Sequence, residues 1–237
     1  MDVVVFADQE AASAGAARMM AGAIRSAETE TVSIGLAGGT TPATAYRLLL
    51  REDLGWERVH GWPADERWVP KDHPDNNGFL AQEALFRWVP AQLHRPMWAP
   101  WLEPPEAAAY FDAELRSLHA GGGPEVVLLG LGEDGHTASL FPSADTLDVD
   151  GRWYVATEVA ALKAWRLTAT IDLLSTAARI LFLATGEGKA MAVSQVLEEN
   201  SELPAAIVSR CGPHTTWALD SASASQLSPG QYMRAPA

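Results

Sequence analysis

The sequence predicts an α/β fold with a mostly parallel sheet and helices on both faces, because strand-like and helix-like segments alternate along the chain. Apolar runs rich in β-branched residues at 3–8 and 32–36 are each followed by segments with helical spacing. The alternation returns later, where 179–185 is predicted as a buried strand and 189–197 as a helix. Continuous apolar strands of this kind are typical of parallel sheets buried on both faces.

The first helix is predicted to begin at an N-cap residue. Asp8 follows the first strand, and a carboxylate at that position can accept hydrogen bonds from the free N–H groups of the first turn. The apolar residues after it recur at intervals of three or four, which marks one face of a helix. These residues are Ala12, Ala16, Met19 and Ala23.

The second strand–helix unit contains a glycine turn. After the strand at 32–36, Gly38 and Gly39 predict a tight turn. Thr41 before Pro42 predicts a helix that begins there, with a hydroxyl at the N-cap and a proline at the first helical position.

The later segments continue the pattern. Ala108, Phe111, Leu115 and Leu118 form another helical stripe. Further strands are predicted near 59–62 and at 125–131, 206–209 and 216–219. We expect one domain over 1–220, because the only candidate boundary is a proline-rich crossover at 89–106. The remaining residues, 221–237, are rich in Ser, Ala, Gln and Pro and are expected to form a flexible tail that buries little.

The composition argues against several classes of protein. The 237 residues include 17 Lys and Arg against 30 Asp and Glu, so the net charge of −13 disfavours a nucleic-acid partner. No apolar run reaches the roughly eighteen residues that cross a bilayer, so no membrane contact is expected. The N-terminal segment lacks the pattern of a secretory signal, which predicts a cytoplasmic protein. One cysteine, Cys211, leaves no pair for a disulfide.

Three polar loops follow predicted strands, and in a parallel sheet such loops converge on one crevice. The first contains Gly38, Gly39, Thr40 and Thr41. Glycines let the backbone approach a ligand, and a helix N-terminus attracts anions, so this loop suits a phosphate. It has neither the P-loop nor the dinucleotide-binding pattern. An ordinary capped turn is the alternative interpretation.

The second loop contains Asp65, Glu66 and Arg67. Two carboxylates beside a guanidinium perturb one another's charge states, which is common at functional sites. A solvated surface turn is the alternative. Residues 71–78 are dense in turn formers, as at the rim of an active site.

The third loop is the most specific, because Gly132, Asp134 and His136 stand among glycines at the end of a buried strand. Histidine is the side chain best suited to take a proton near neutral pH. Asp134 or another carboxylate, such as Asp65, is expected to orient it. The alternative is a capping aspartate beside a packed histidine.

Other polar residues carry weaker signals. Lys163, Arg166 and Lys189 could reach an anion, although each is more often a surface charge. No two histidines have the spacing of metal ligands on a helix, so neither a metal nor another cofactor is expected. Ser139 lacks the surrounding pattern of a hydrolase nucleophile.

Taken together, these segments resemble the 6-phosphogluconolactonase family, whose domain is related to the glucosamine-6-phosphate deaminases. The family's Gly-Gly-Ser/Thr-Thr-Pro loop is matched at 38–42 and its Asp-Glu-Arg-x-Val-Pro segment at 65–70. Its long Gly-x-Gly-x-Asp-Gly-His-Thr-Ala-Ser-Leu-Phe-Pro motif is matched at 130–142. Pieces around Arg166 and Lys189 are similar too, but the Lys-Pro-Pro common before that arginine is absent, so Lys163 is assigned no role.

The resemblance implies a Rossmann-like α/β fold and hydrolysis of 6-phosphogluconolactone, the second step of the oxidative pentose phosphate pathway. It implies that His136 acts first as base and then as acid, that Asp134 or Asp65 orients it, and that glycine N–H groups face the oxyanion. No cofactor is implied, and the partner is a small phosphorylated sugar lactone. The residues expected to bind the substrate and its phosphate are Gly38, Gly39, Thr40, Thr41, Arg67, Gly132, Arg166 and Lys189.

Two alternatives remain. A sugar-phosphate isomerase or deaminase of the related family would carry a further carboxylate after the histidine motif, at the place where this chain has Phe141. A non-catalytic phosphosugar sensor would keep the phosphate loop and lose the Asp-Gly-His loop, which is intact here. The sequence does not predict the oligomeric state.

Overall fold

A computed structural model of the chain describes residues 1–120, 122–159, 163–198, 200–228 and 230–235. Its strands are β1 (Asp2–Phe6), β2 (Val32–Leu36), β3 (Val59–Pro63), β4 (Asp65–Arg67), β5 (Gln92–Leu93), β6 (Val126–Leu129), β7 (Tyr154–Val159), β8 (Ala164–Ala169), β9 (Ile180–Ala184), β10 (Thr215–Asp220) and β11 (Met233–Arg234). Its α-helices are α1 (Gln9–Ser26), α2 (Thr40–Leu49), α3 (Asn77–Ala84), α4 (Pro104–Leu118), α5 (Ile171–Ser175), α6 (Ala190–Val196) and α7 (Pro204–Cys211).

The main sheet confirms the predicted α/β class. Eight strands lie in the order β11-β1-β10-β9-β6-β2-β3-β5, and all neighbouring pairs are parallel. Strands β1 and β10 pair along their length, so segments near both ends of the chain meet in one sheet. On one side of β2 the chain continues to β3, whereas β6 lies on the other side. This reversal of strand order opens a crevice at the carboxyl ends of the strands.

Helices cover both faces of the sheet, as predicted. One apolar core contains residues of α1, α2 and α3, including Met20 and Tyr46, against one face. The other contains residues of α4 to α7, including Phe111 and Val208, against the opposite face. Together these layers bury the strands on both sides, which explains their uninterrupted apolar sequences.

The start of α1 confirms the predicted cap, and its buried stripe differs in one residue. Asp8 Oδ1 accepts a hydrogen bond from Ala11 N at 2.8 Å. Ala12, Ala16 and Ala23 are buried as predicted, but Met20 is fully buried in place of Met19, which is only partly buried. Successive steps of four residues lead to Met20, and Met19 lies at the edge of the stripe.

One helix start and one strand are predicted wrongly. Helix α2 begins at Thr40, with Gly39 as its N-cap at φ 107°, a conformation that favours glycine, so Thr41 is not the cap. The segment predicted as a strand at 206–209 lies in helix α7. A short apolar run fits either a buried strand or a buried helix, and Pro204 in the first helical turn is the signal that separates the two.

A second sheet was not predicted. Strand β8 pairs antiparallel with both β4 and β7, in the order β4-β8-β7. The predicted loop at 65–67 is therefore a strand, and Arg67 lies opposite Arg166 in its register. A three-residue strand is too short to show a period in the sequence.

The C-terminal segment also differs from the prediction of a tail that buries little. Among its described residues Ser223, Ala224 and Leu227 are buried. Strand β11 adds to the edge of the main sheet beside β1, and Ala235 N donates to Val5 O at 2.9 Å. No helix in the described part of the chain is both long and apolar enough to span a membrane.

A buried polar chain anchors β3 just before it reaches the crevice. Trp62 Nε1 donates to Ser33 Oγ at 2.9 Å, and Ser33 Oγ lies 2.7 Å from His119 Nε2. His119 Nδ1 lies 2.7 Å from the carbonyl oxygen of Leu115, so Nδ1 carries the proton and Nε2 accepts from Ser33. Burial lowers the pKa of His119, which favours the neutral ring that these bonds require.

Ser33→Ala should lower the free energy of unfolding by about 1–3 kcal/mol, because it leaves the buried Trp62 N–H and His119 Nε2 without their partner. The matched control is Ser13→Ala, where an equally buried hydroxyl donates only to the Gln9 carbonyl of its own helix. Urea unfolding measures both values. Equal losses in the two variants would contradict the role given to Ser33.

Candidate active site

A cleft of about 580 Å³ lies at the carboxyl ends of β2, β3 and β6. All three predicted loops contribute to it. The predicted residues that line it are Gly38, Asp65, Arg67, Gly132, Asp134, His136 and Lys189. The crevice at the reversal of strand order therefore brings together groups from distant parts of the sequence.

The histidine of the third loop is held by the aspartate two residues before it. His136 Nδ1 lies 2.5 Å from Asp134 Oδ1, and the backbone N–H of His136 donates to the same oxygen at 3.2 Å. A carboxylate only accepts hydrogen bonds, so Nδ1 carries the proton and Nε2 of the neutral ring keeps its lone pair. The ring of Phe141 lies against the imidazole, with centroids 4.5 Å apart.

This arrangement requires glycine at position 132. A Cβ atom there would lie 2.1 Å from His136 Nδ1 and 2.7 Å from Asp134 Oδ1. Gly132 N donates to His136 O at 2.8 Å, and Gly135 N donates to Gly132 O at 3.1 Å. Both N–H groups are thus used within the loop, so neither fits the predicted role as an oxyanion donor.

Asp134 is ionised in this setting. Burial alone would raise its pKa, but the hydrogen bonds and the charge of His136 together outweigh burial and lower it. A carboxylate of this kind favours a proton on the facing imidazole nitrogen and stabilises the ring when it takes a second proton.

Asp65 lies in the same cleft but has other partners. Its Oδ2 accepts from Ser139 Oγ at 2.7 Å, and its Oδ1 accepts from Asn77 Nδ2 at 3.0 Å. Neither oxygen has a hydrogen bond to His136 among the described contacts. Of the two carboxylates considered from the sequence, Asp134 is therefore the one that contacts and orients the histidine.

Two cations, Arg67 and Lys189, line the cleft, and Arg166 lies beside Arg67. Arg67 Nη1 donates to Asp75 O at 2.9 Å and to Asn77 Oδ1 at 3.4 Å. Burial, followed by the charge of Arg67, lowers the pKa of Arg166, so the two guanidinium groups lie close enough to repel each other. Arginine remains charged at neutral pH despite such a shift. Lys189 adds a third cation from the loop after β9.

Four of the predicted binding residues do not line the cleft. Gly39, Thr40, Thr41 and Arg166 lie outside its lining, although Arg166 pairs with Arg67 in the second sheet. Thr41 Oγ1 lies 3.2 Å from Thr185 Oγ1, which links the first loop to the segment that carries Lys189. Lys163 is exposed in the turn between β7 and β8, at φ 48°, and does not line the cleft.

Asn77 and Glu133 are two polar residues of the lining to which sequence reasoning gave no role. Asn77 lies in the turn-forming stretch that was predicted as the rim, and its signal was the pair of asparagines before a glycine. Glu133 stands beside Asp134 in the third loop, and a Cβ atom at Gly188 would lie 3.4 Å from its Oε1. The described residues contain no group of three or more His, Cys, Asp or Glu side chains that could hold a metal ion.

His136→Phe should raise the pKa of Asp134, because the variant loses the side-chain hydrogen bond and the charge of His136, while burial and the backbone hydrogen bonds remain. In the wild type the depressed pKa stabilises the fold above the ordinary value of 3.8, and this contribution is lost as the pH falls through the lower pKa. Carbon-13 NMR titration of the Asp134 carboxyl, assigned with Asp134→Asn, measures the shift. An unchanged titration curve in His136→Phe would contradict the contact.

Comparisons with known proteins show which family the chain belongs to. The model of the family "Glucosamine-6-phosphate isomerases/6-phosphogluconolactonase" matches residues 7–217. The 6-phosphogluconolactonase of Synechocystis sp. is 35% identical over 214 residues, covering 86% of this chain and 88% of the relative. That of Haemophilus influenzae is 33% identical over 202 residues, covering 81% and 86%.

Solved structures show the same relationship. The 6-phosphogluconolactonase of Trypanosoma brucei superposes with a TM-score of 0.86 at 27% identity, covering 96% of this chain and 98% of the other. A monomeric glucosamine-6-phosphate deaminase superposes with a TM-score of 0.82 at 23% identity, over 95% and 99% of the two chains, which shows a shared fold alone. The chain thus belongs to the glucosamine-6-phosphate isomerase/6-phosphogluconolactonase family.

Proposed function

We propose that this chain hydrolyses 6-phosphogluconolactone to 6-phosphogluconate, with His136 activating the attacking water. The observation that carries the proposal is the hydrogen bond between Asp134 and His136, which leaves Nε2 of the neutral imidazole free to accept a proton. Relatives more than 30% identical over four-fifths or more of the chain are 6-phosphogluconolactonases, which supports the same reaction.

The reaction needs one group that first takes and then returns a proton. His136 Nε2 accepts a proton from water, and the water oxygen bonds to the lactone carbonyl carbon, which places negative charge on the carbonyl oxygen. When the tetrahedral intermediate collapses, the bond from carbon to the ring oxygen breaks. The imidazolium then gives its proton to that departing oxygen, while Asp134 stabilises the charged ring.

The cations of the cleft suit the other end of the substrate. Arg67 and Lys189 line the cleft and Arg166 lies beside Arg67, so a chain of net charge −13 still offers cations at this site. These cations bind a phosphate through charge-assisted hydrogen bonds and position the lactone ring at the histidine. The polar loop 38–41 lies beside this region through Gly38 and supports the same orientation.

Phe141 favours the lactonase over a ring-opening deaminase. Its phenyl ring lies against His136, at the place where the related deaminases carry an assisting carboxylate. A phenyl ring neither accepts a proton nor stabilises an imidazolium as a carboxylate does. The cytoplasmic location and the independence from metals and nucleic acid, which the sequence favours, remain predictions.

Replacing His136 by Gln should lower kcat by about a hundredfold or more, the usual contribution of a general base, while the fold is retained. His214→Gln is the matched control, because His214 is exposed and directly precedes β10, at the amino ends of the parallel strands and not at the carboxyl ends that form the cleft. Initial rates on freshly made 6-phosphogluconolactone, corrected for spontaneous hydrolysis, measure both variants. A folded His136→Gln protein with wild-type kcat would remove His136 from the mechanism.

One preparation assayed on two substrates separates the lactonase from the deaminase. We expect acid release from 6-phosphogluconolactone and no ammonia from glucosamine-6-phosphate, because Phe141 supplies no carboxylate to the histidine. Ammonia release at a rate comparable with lactone hydrolysis would overturn the assignment. Phosphosugar binding without either reaction would support the non-catalytic sensor.

A further inference from the structure

We propose that Asn77 is a positioning residue of the cleft, whose side-chain amide holds Asp65 and Arg67 side by side in the orientation that binds substrate. The inference rests on the proposed function for its kinetic readout. Asn77 itself is not assigned contact with the reacting atoms.

The amide of Asn77 links the two charged groups directly. Its Nδ2 donates to the backbone oxygen of Asp65 at 2.8 Å and to Asp65 Oδ1 at 3.0 Å. Its Oδ1 accepts from Arg67 Nη1 at 3.4 Å. The side chain therefore uses its donor group toward the carboxylate and its acceptor toward the guanidinium, which matches the requirement of each.

Asn77 is held in place from the far side of β4. Side chains alternate along a strand, so Asp65 and Arg67 face the cleft while Glu66 points into the protein. Glu66 is only 3% exposed, and its carboxylate accepts from Asn77 N at 2.7 Å and from Gly78 N at 2.8 Å. Glu66 of β4 thereby fixes the first residues of α3. In turn, the side chain of Asn77, the first residue of α3, bonds to Asp65 and Arg67 of β4.

The first loop closes the third side of this residue. A Cβ atom at Gly38 would lie 2.0 Å from Asn77 Oδ1, so the backbone of Gly38 passes directly over the amide. Asn77 is 4% exposed as a result. A buried amide confined by three segments has one orientation. Its hydrogen bonds then fix the orientation of the Asp65 and Arg67 side chains.

Few other side chains satisfy these contacts. Aspartate has the same shape, but it would place a carboxylate oxygen against the two oxygens of Asp65. Two carboxylates at that separation share a proton, because both cannot ionise together without a large cost. Alanine would leave the half-buried Asp65 oxygens with one donor fewer.

The adjacent Asn76 provides a matched control. It is equally buried, and its Oδ1 caps α3 by accepting from Phe79 N at 2.8 Å and from Arg95 Nη2 at 2.6 Å. Neither Asp65 nor Arg67 is among its partners. Asn76→Ala should therefore lower stability through the lost cap while KM stays near the wild-type value.

The experiment compares Asn77→Ala, Asn77→Asp and Asn76→Ala in the full chain. We expect Asn77→Ala to raise KM for 6-phosphogluconolactone by about tenfold, with a smaller change in kcat, because lost hydrogen bonds release Arg67. The dissociation constant for inorganic phosphate, measured by calorimetry, should rise in the same variant. Asn76→Ala should lower the melting temperature without either change.

Asn77→Asp should give a pH-dependent change in activity that general damage to the fold would not produce. The ratio of its kcat/KM to that of the wild type should rise as the pH falls, because a protonated Asp at this position again donates to Asp65. Asn77→Asp keeps the shape of asparagine and carries the test alone should Asn77→Ala not fold.

The outcomes separate the two proposals. A KM and phosphate affinity in Asn77→Ala that match those of Asn76→Ala, or a flat pH ratio for Asn77→Asp, would overturn the positioning role. Phosphate binding needs no turnover, so weaker binding in Asn77→Ala supports that role even if the wild type fails to hydrolyse the lactone. Such a failure would overturn the proposed function alone.

Discussion

The hydrogen bond between Asp134 and His136 sets what the cleft can do chemically. It requires a glycine at position 132, because any Cβ atom there would occupy the space of the imidazole. It fixes the proton on Nδ1, so the ring offers its other nitrogen as a base. A short loop at the end of β6 holds the two residues in this geometry, because the N–H groups of Gly132 and Gly135 donate hydrogen bonds within the loop. In the proposed reaction the oxyanion therefore needs donors other than these two groups.

The cleft presents positively charged side chains although the chain as a whole carries a net negative charge. The second sheet brings two arginines together, because the antiparallel pairing of β4 with β8 places Arg67 opposite Arg166. Two neighbouring guanidinium groups cost repulsion in the free protein, and a bound dianion such as a phosphate removes that cost. The amide of Asn77 links Arg67 to Asp65, whose negative charge partly offsets this repulsion. His136 lines the same cleft and pairs with a different carboxylate, Asp134.

The sequence predicts the main sheet well and the second sheet not at all, for a physical reason. Runs such as 179–185 are long enough, and apolar enough, to identify a buried strand. The three residues of β4 carry charge at both ends and show no period, so only their pairing with β8 makes them a strand. The segment predicted as a strand at 206–209 lies in a helix. A short apolar run can be buried in either a strand or a helix, so its composition alone does not identify the element.

The candidate site follows the same division. Asp134 and His136 could be identified together because they are two residues apart. The three loops could be expected to meet because each follows a predicted strand and strand ends converge on one crevice. Asn77 could not be identified in this way, since its importance comes from contacts with Gly38, Asp65 and Arg67 that lie ten or more residues away along the chain. The turn-forming residues around it indicated a rim and gave no sign of which side chain points inward.

A crystal structure with bound 6-phosphogluconate would show whether the cations and His136 act on opposite ends of one molecule, because it locates both ends of the product at once. We expect the phosphate within hydrogen-bond distance, about 3 Å, of Arg67 together with Lys189 or Arg166. The carboxylate carbon should face His136 Nε2, with Asp134 still bound to Nδ1. A phosphate seated against His136, or a product bound outside the cleft, would contradict this expectation.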